Sequence, residues 1–212
     1  MEIIINNPYR IIGILVGTSL REQSTKINRL KQYIEANQTP PDDYSFPILG
    51  KLTRTIDIIE RSAQKLNLNN DKIQAALFWM YEGSHTDEPV FESLKNKDLH
   101  YGLAVWETLI YKKPVSERNA SAYFNLSTVK LARAFKGKNV VLESLESGIT
   151  LKLQYLDSPY YNTFTKMTAD ETFHTTKENL QILFLNCVQS ELEKQGEIHS
   201  DKFIKILLNI TF

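Results

Sequence analysis

Between residues 49 and 66 the apolar side chains recur at Leu49, Leu52, Ile56, Ile59, Ala63 and Leu66, in steps of three and four. That spacing stacks them on one face of a helix, whereas a strand would scatter them over both sides of a sheet. The pattern predicts a helix over this span with one buried stripe, and a chain built on such stripes must bury each against another helix. With 42% hydrophobic and 24% charged residues over 212 positions, there is material for a sizeable core, as one large domain or two small ones.

Helix punctuation is dense elsewhere. Asn7-Pro8-Tyr9-Arg10-Ile11-Ile12-Gly13 predicts one short helical run, with Asn7 as cap, Pro8 at the first helical position and Gly13 as the stop. Ser19 and Glu22 have capping-box spacing ahead of Ile27, Leu30 and Ile34, and three prolines make residues 38–47 a loop. Ile73, Ala76, Leu77 and Met80 predict a helix stopping near Gly83; shorter ones follow behind Thr86-Asp87-Glu88-Pro89 and behind Asp98. Ser116 opens a longer helix that Gly137 ends. Residues 139–156 place Leu142, Leu145, Ile149, Leu153 and Leu156 on a helical face, although Val140-Val141-Leu142 and residues 150–153 also suit strands.

Residues 158–167 (SPYYNTFTKM) show no helical period and are expected to be a boundary loop, with Tyr160 and Tyr161 exposed on it. Thr168 and Glu171 then have the spacing of a second capping box, before a long helix carrying Phe173, Leu180, Phe184, Cys187 and Leu192 to Gly196. A final helix is expected from Ser200 through Phe203, Ile206, Leu207 and Ile210, an apolar end that either docks on the core or continues in a longer natural chain. The fold class is therefore all-α: a helical module over residues 1–82, a helical-pair region over 83–157 and a C-terminal helical segment over 158–212. Short connections force neighbouring helices to stack as antiparallel pairs in a solenoid-like way. Only a loose echo links Ala75–Trp79 with Leu103–Glu107, short of a repeat.

The first eighty residues resemble the J-domain of co-chaperones. Asn7-Pro8-Tyr9-Arg10-Ile11-Ile12-Gly13-Ile14 looks like that family's opening turn, and a capped basic helix with Arg21, Lys26, Arg29 and Lys31 follows. A proline-bearing loop comes next, then Ile59-Glu60-Arg61-Ser62-Ala63-Gln64-Lys65-Leu66, similar to the third helix, and Asp71–Ala76, similar to the fourth. The family stimulates a heat-shock ATPase through a His-Pro-Asp tripeptide in that loop. Here the nearest text is Pro40-Pro41-Asp42, without the imidazole and farther from Gly13 than the family spacing. The resemblance thus implies a J-like fold lacking the ATPase-stimulating activity, as in bacterial J-like proteins with a helical extension.

Charge narrows the partners. Lys plus Arg equals Asp plus Glu at 25 each, so no net field exists to hold a nucleic acid or an anionic membrane. The single cysteine, Cys187, suits a reducing compartment, and the acidic N-terminus does not suit a secretion signal, so a cytoplasmic setting is expected. Cys187 lies among apolar residues, and His174 is expected on the same helix at a rise of ~20 Å, too far to pair. Trp79 and Trp106 sit at core spacing.

Two clusters remain. His85, Asp87, Glu88 and His100 are the one grouping of imidazole with carboxylates, the basis for a metal-dependent or acid–base enzyme, yet without the spacing that forces metal ligands together. Arg21, Lys26, Arg29 and Lys31, with Lys51 and Arg54, form the main basic patch. The reading that follows is a non-enzymatic interaction or scaffold protein, without cofactor, binding another protein through the basic helix and the tyrosine pair. The alternatives are an adaptor that still docks a heat-shock ATPase through that helix, and the enzyme centred on His85.

Overall fold

The computed structural model describes residues 1–40, 43–196 and 203–204. Among them the chain is helical throughout, without a sheet; the one β-type contact is an isolated parallel bridge between Val16 and Tyr81. Helix α1 (Glu2–Ile5) is a single turn that the sequence spacing does not signal. In α2 (Pro8–Ile12) the expected devices operate: the Asn7 side chain accepts from Tyr9 N, and Gly13 ends the helix in the left-handed region at φ 78°. A side chain at Gly13 would run into the Asp43 carboxylate. Helix α3 (Leu20–Glu35) carries the full Ser19–Glu22 capping box.

The helix expected from Leu49 starts later. Pro47–Leu49 is one 3-10 turn, Gly50 lies at φ 138°, and α4 spans only Ile56–Lys65 behind the Thr55 cap. The cause is Arg10, which is fully buried and points its guanidinium at this stretch. Its Nε donates to Ser45 O at 2.8 Å and its Nη2 to Gly50 O at 2.6 Å, while Nη1 reaches Ile5 O at 2.7 Å and Lys51 O at 3.4 Å. The Gly50 and Lys51 carbonyls that a longer helix would use internally are turned onto the arginine instead, and Leu52 packs from an extended segment.

Asn7 performs the matching task on the other side. Its Nδ2 donates to Ala75 O at 2.8 Å, at the end of α5 (Asn69–Leu77), and sits 3.4 Å from Phe78 O. Helix α5 therefore stops before Met80, whose carbonyl accepts from Val16 N at 2.9 Å.

The remaining helices are α6 (Asp87–Lys95), α7 (Leu99–Ile110), α8 (Ala120–Ala134), α9 (Leu142–Asp157), α10 (Tyr160–Thr168) and α11 (Lys177–Glu193). They stack as the expected pairs, α6 on α7 and α8 on α9, with α10 and α11 covering α9 and α5. Residues 142–157 are helix, which closes the strand alternative. Helix α8 is buried on nearly every side, and its polar residues are spent on backbone: Asn125 pairs with both N and O of Tyr81, Thr128 donates to Trp79 O, and Ser127 donates to Gly148 O. Gly148 lets α9 come this close, since a Cβ there would meet Leu131 at 2.8 Å. Trp79 and Trp106 are fully buried, as their spacing predicted.

Residues 158–167 are a second correction. From Tyr160 onward they belong to helix α10, which runs to Thr168, with Phe164 and Thr168 buried one turn apart. Thr165 and Thr168 return their hydroxyls to the carbonyls of Tyr161 and Phe164, so polar side chains that resemble loop sequence are satisfied inside a helix. Thr168 is thus no cap; Thr176 caps α11 by accepting from Asn179 N, and Phe173 and His174 precede the helix. One apolar cluster draws side chains from all three predicted segments, Met1 to Phe203. The helix expected from Ser200 lies outside the described residues except for Phe203, which is buried, and Ile204. No helix among the described residues is long and apolar enough to cross a membrane.

Replacing Arg10 by Met, of comparable length, leaves the buried Ser45 carbonyl and the part-buried carbonyls of Ile5 and Gly50 without their donor. The expected loss is ~3–5 kcal/mol and a melting point lower by roughly 6–20 °C, read by thermal unfolding with circular dichroism.

Candidate functional site

Helix α3 lies against α2 and α4 through a small apolar cluster of its own, in which Ile11, Leu30 and Ile59 are buried. Of its sixteen residues only Gln23 and Leu30 are buried. The basic set predicted on and beside it divides in two. Lys26 lies 3.4 Å from Asp43, Arg54 lies 3.0 Å from the same carboxylate, and Lys31 pairs with Glu60 on α4 at 2.6 Å. Arg54 also donates to Ile11 O at 2.6 Å, which ties the segment before α4 to α2. These cations hold the module together. Arg21 and Arg29 are exposed on α3, with the Arg29 guanidinium 5.8 Å from the Tyr33 ring, and Lys51, in the segment before α4, is exposed as well.

Beside α3 a cleft of about 560 Å³ of mixed polar and apolar lining opens between residues 13–18 and Lys26, Asp43, Tyr44, Glu82, Lys95 and Met167. The Lys95 ammonium sits 4.2 Å above the Tyr44 ring, on the outer edge of an aromatic group formed with Phe46, Phe91, Trp79 and Trp106. Of Pro40-Pro41-Asp42, the nearest text to the J-domain tripeptide, Pro40 is described and Pro41 and Asp42 lie outside the described residues.

Tyr160 and Tyr161 are not an exposed loop pair. Both are half-buried on α10, and the Tyr160 carbonyl accepts from the Tyr155 hydroxyl at 3.1 Å. Among the described residues, the aromatic side chains that stand out from the surface are Tyr101 and Tyr111, on and after α7.

The histidine cluster does not assemble. Asp87 is fully buried and its carboxylate is already committed: it accepts from Gly83 N and Ser84 N at 3.0 Å each and from Trp106 Nε1 at 2.8 Å. His85, Glu88 and His100 are exposed around it. No group of three or more His, Cys, Asp and Glu able to hold a metal ion occurs among the described residues. Cys187 is half-buried, and burial, with Glu191 adding to it, raises its thiol above the usual value, so the thiolate is disfavoured. His174 is exposed in the segment before α11, so the separation expected from helix rise does not describe this pair.

Two buried cations escaped the sequence reading. Arg10 stands in an apolar turn, and burial foremost, then the nearby Arg54, lowers its pKa to about 10, against the opposing pull of Asp43. Lys152 stands three residues after Ile149 and four before Leu156, inside the predicted stripe. A cation at a stripe position was the available signal in both cases. Searched against family models, curated proteins and solved structures, the chain matches none.

Asp87→Ala is expected to cost ~2–4 kcal/mol in urea unfolding, because it leaves an indole and two amides without their acceptor. The double change His85→Ala with His100→Ala is expected to stay within ~0.5 kcal/mol of the parent and to leave its metal content unaltered by elemental analysis.

Proposed function

We propose that the chain is a non-enzymatic docking or scaffold protein that presents α3 to an acidic surface on a protein partner. The observation that carries this reading is the way α3 is held: a sixteen-residue helix with two buried residues, seated mainly on a minor apolar cluster, with half-buried Ile27 also touching the main core. A helix kept in place with so little burial has its outer face open for a partner, and Arg21 and Arg29 stand there while neighbouring cations are consumed by internal pairs. Arginine suits such a face, because its planar fork meets carboxylates in two-point contacts. The resemblance of residues 1–82 to a J-domain supports the same helix as the contact element, in a cytoplasmic protein of the degenerate J-like kind. Balanced total charge favours protein over nucleic acid.

The test is affinity capture with the full-length chain alongside Arg21→Glu/Arg29→Glu, quantified by mass spectrometry at about 0.1 M and about 0.5 M salt. Both forms are expected to melt within ~0.5 kcal/mol of each other. The reading predicts partners held by the parent at low salt and depleted on the order of tenfold by the charge reversal. An identical retained set would contradict it. Stimulation of a heat-shock ATPase that the reversal abolishes would name the partner class.

A further inference from the structure

Lys152 is the one fully buried lysine among the described residues, lodged between α9 and α8 at the centre of the helix stack. Its Nζ lies 3.1 Å from Phe124 O, 3.5 Å from Thr128 Oγ1 and 3.1 Å from the centre of the Phe124 ring. No carboxylate pairs with it among the described residues. The Phe124 carbonyl is shared with the Thr128 hydroxyl, which is itself turned to donate to Trp79 O and can offer Lys152 only its lone pairs at long range. An ammonium has three donors and a full charge to place there, and two oxygens and the face of one ring, without a carboxylate, are what this fully buried position offers it.

We propose that Lys152 is an uncharged amine in the native core, so that the α8–α9 joint is a proton-sensitive latch that acidification loosens. Tyr81, from the segment after α5, and Tyr155, on α9, pack their rings on Phe124; burial foremost raises both hydroxyls above their ordinary value, so they stay neutral. The buried Asp87 carboxylate of α6, which adds to the rise at Tyr81, is held by Gly83 N, Ser84 N and the Trp106 indole. Around the joint, α8 carries Lys130, paired with Glu107 of α7; α10 contributes Tyr160 and Tyr161; and α11 carries Lys177, paired with Asp157. None of these supplies the missing counter-charge.

Burial holds the Lys152 pKa well below the ordinary 10.5. Between the folded value and 10.5 the unfolded chain binds one more proton than the folded chain, so stability falls as pH falls through that window and levels off beneath it. Lys152→Met, similar in length, removes the titration. Urea unfolding of the full chain from about pH 10 to about pH 6 is expected to show the parent losing up to tenfold in folding equilibrium per pH unit relative to Lys152→Met. A ratio that stays constant over the range overturns the proposal. If the variant does not fold, lysine side-chain nitrogen NMR of the parent decides: one neutral amine resonance at about pH 8 supports the latch, and ammonium resonances alone contradict it.

Discussion

The architecture of this chain depends on a five-residue helix whose two flanking and internal polar residues bind main chain that is distant in sequence. Asn7 reaches the end of α5 and Arg10 reaches the 45–51 segment, so α2 is bonded to both of its neighbours by side chains that are themselves buried. Hydrogen bonds of this kind do not add much net energy when made, but cost heavily when one partner is lost. They also fix where α4 begins and where α5 ends. The bundle's geometry is thereby decided by polar contacts, with hydrophobic packing filling in around them.

A second set of polar contacts does the same work around α8. Asn125 pairs with Tyr81 as a strand would, Thr128 holds Trp79, and the indole of Trp79 donates to Ile14 O at 2.8 Å, which ties the α8–α9 layer back to the segment following α2. Between these layers the aromatic group of Phe46, Trp79, Phe91 and Trp106 is closed off from solvent. The result is a platform specified from both ends. Helix α3 stands beside it, attached through Leu30, half-buried Ile27 and the Lys26–Asp43 and Lys31–Glu60 pairs, and this lighter attachment is what recommends it as the contact element.

How much of this the sequence disclosed varies with whether the cause is local. The caps at Asn7, Ser19 and Asp98 and the stop at Gly13 involve groups within a few residues of one another, and each is where the spacing put it. The start of α4 was misplaced because its cause is Arg10, some forty residues away, which no periodicity in 49–66 could reveal. Helix α10 was hidden by threonines whose hydroxyls turn back on their own helix. For the candidate site, the basic residues were legible as a patch. Which of them are consumed by Asp43 and Glu60 depends on tertiary contacts, and the dispersal of His85 and His100 around a committed Asp87 does as well.

The central claim is a rigid platform, locked by buried side-chain bonds to main chain, carrying a loosely seated α3. Native-state hydrogen exchange of the full chain tests it most directly, since it reports the opening free energy of each helix separately. The account predicts that amides of α2, α8 and α9 exchange only through global unfolding, while those of α3 exchange through a separate opening at least ~2 kcal/mol less costly. Protection of α3 equal to that of α8 would contradict it.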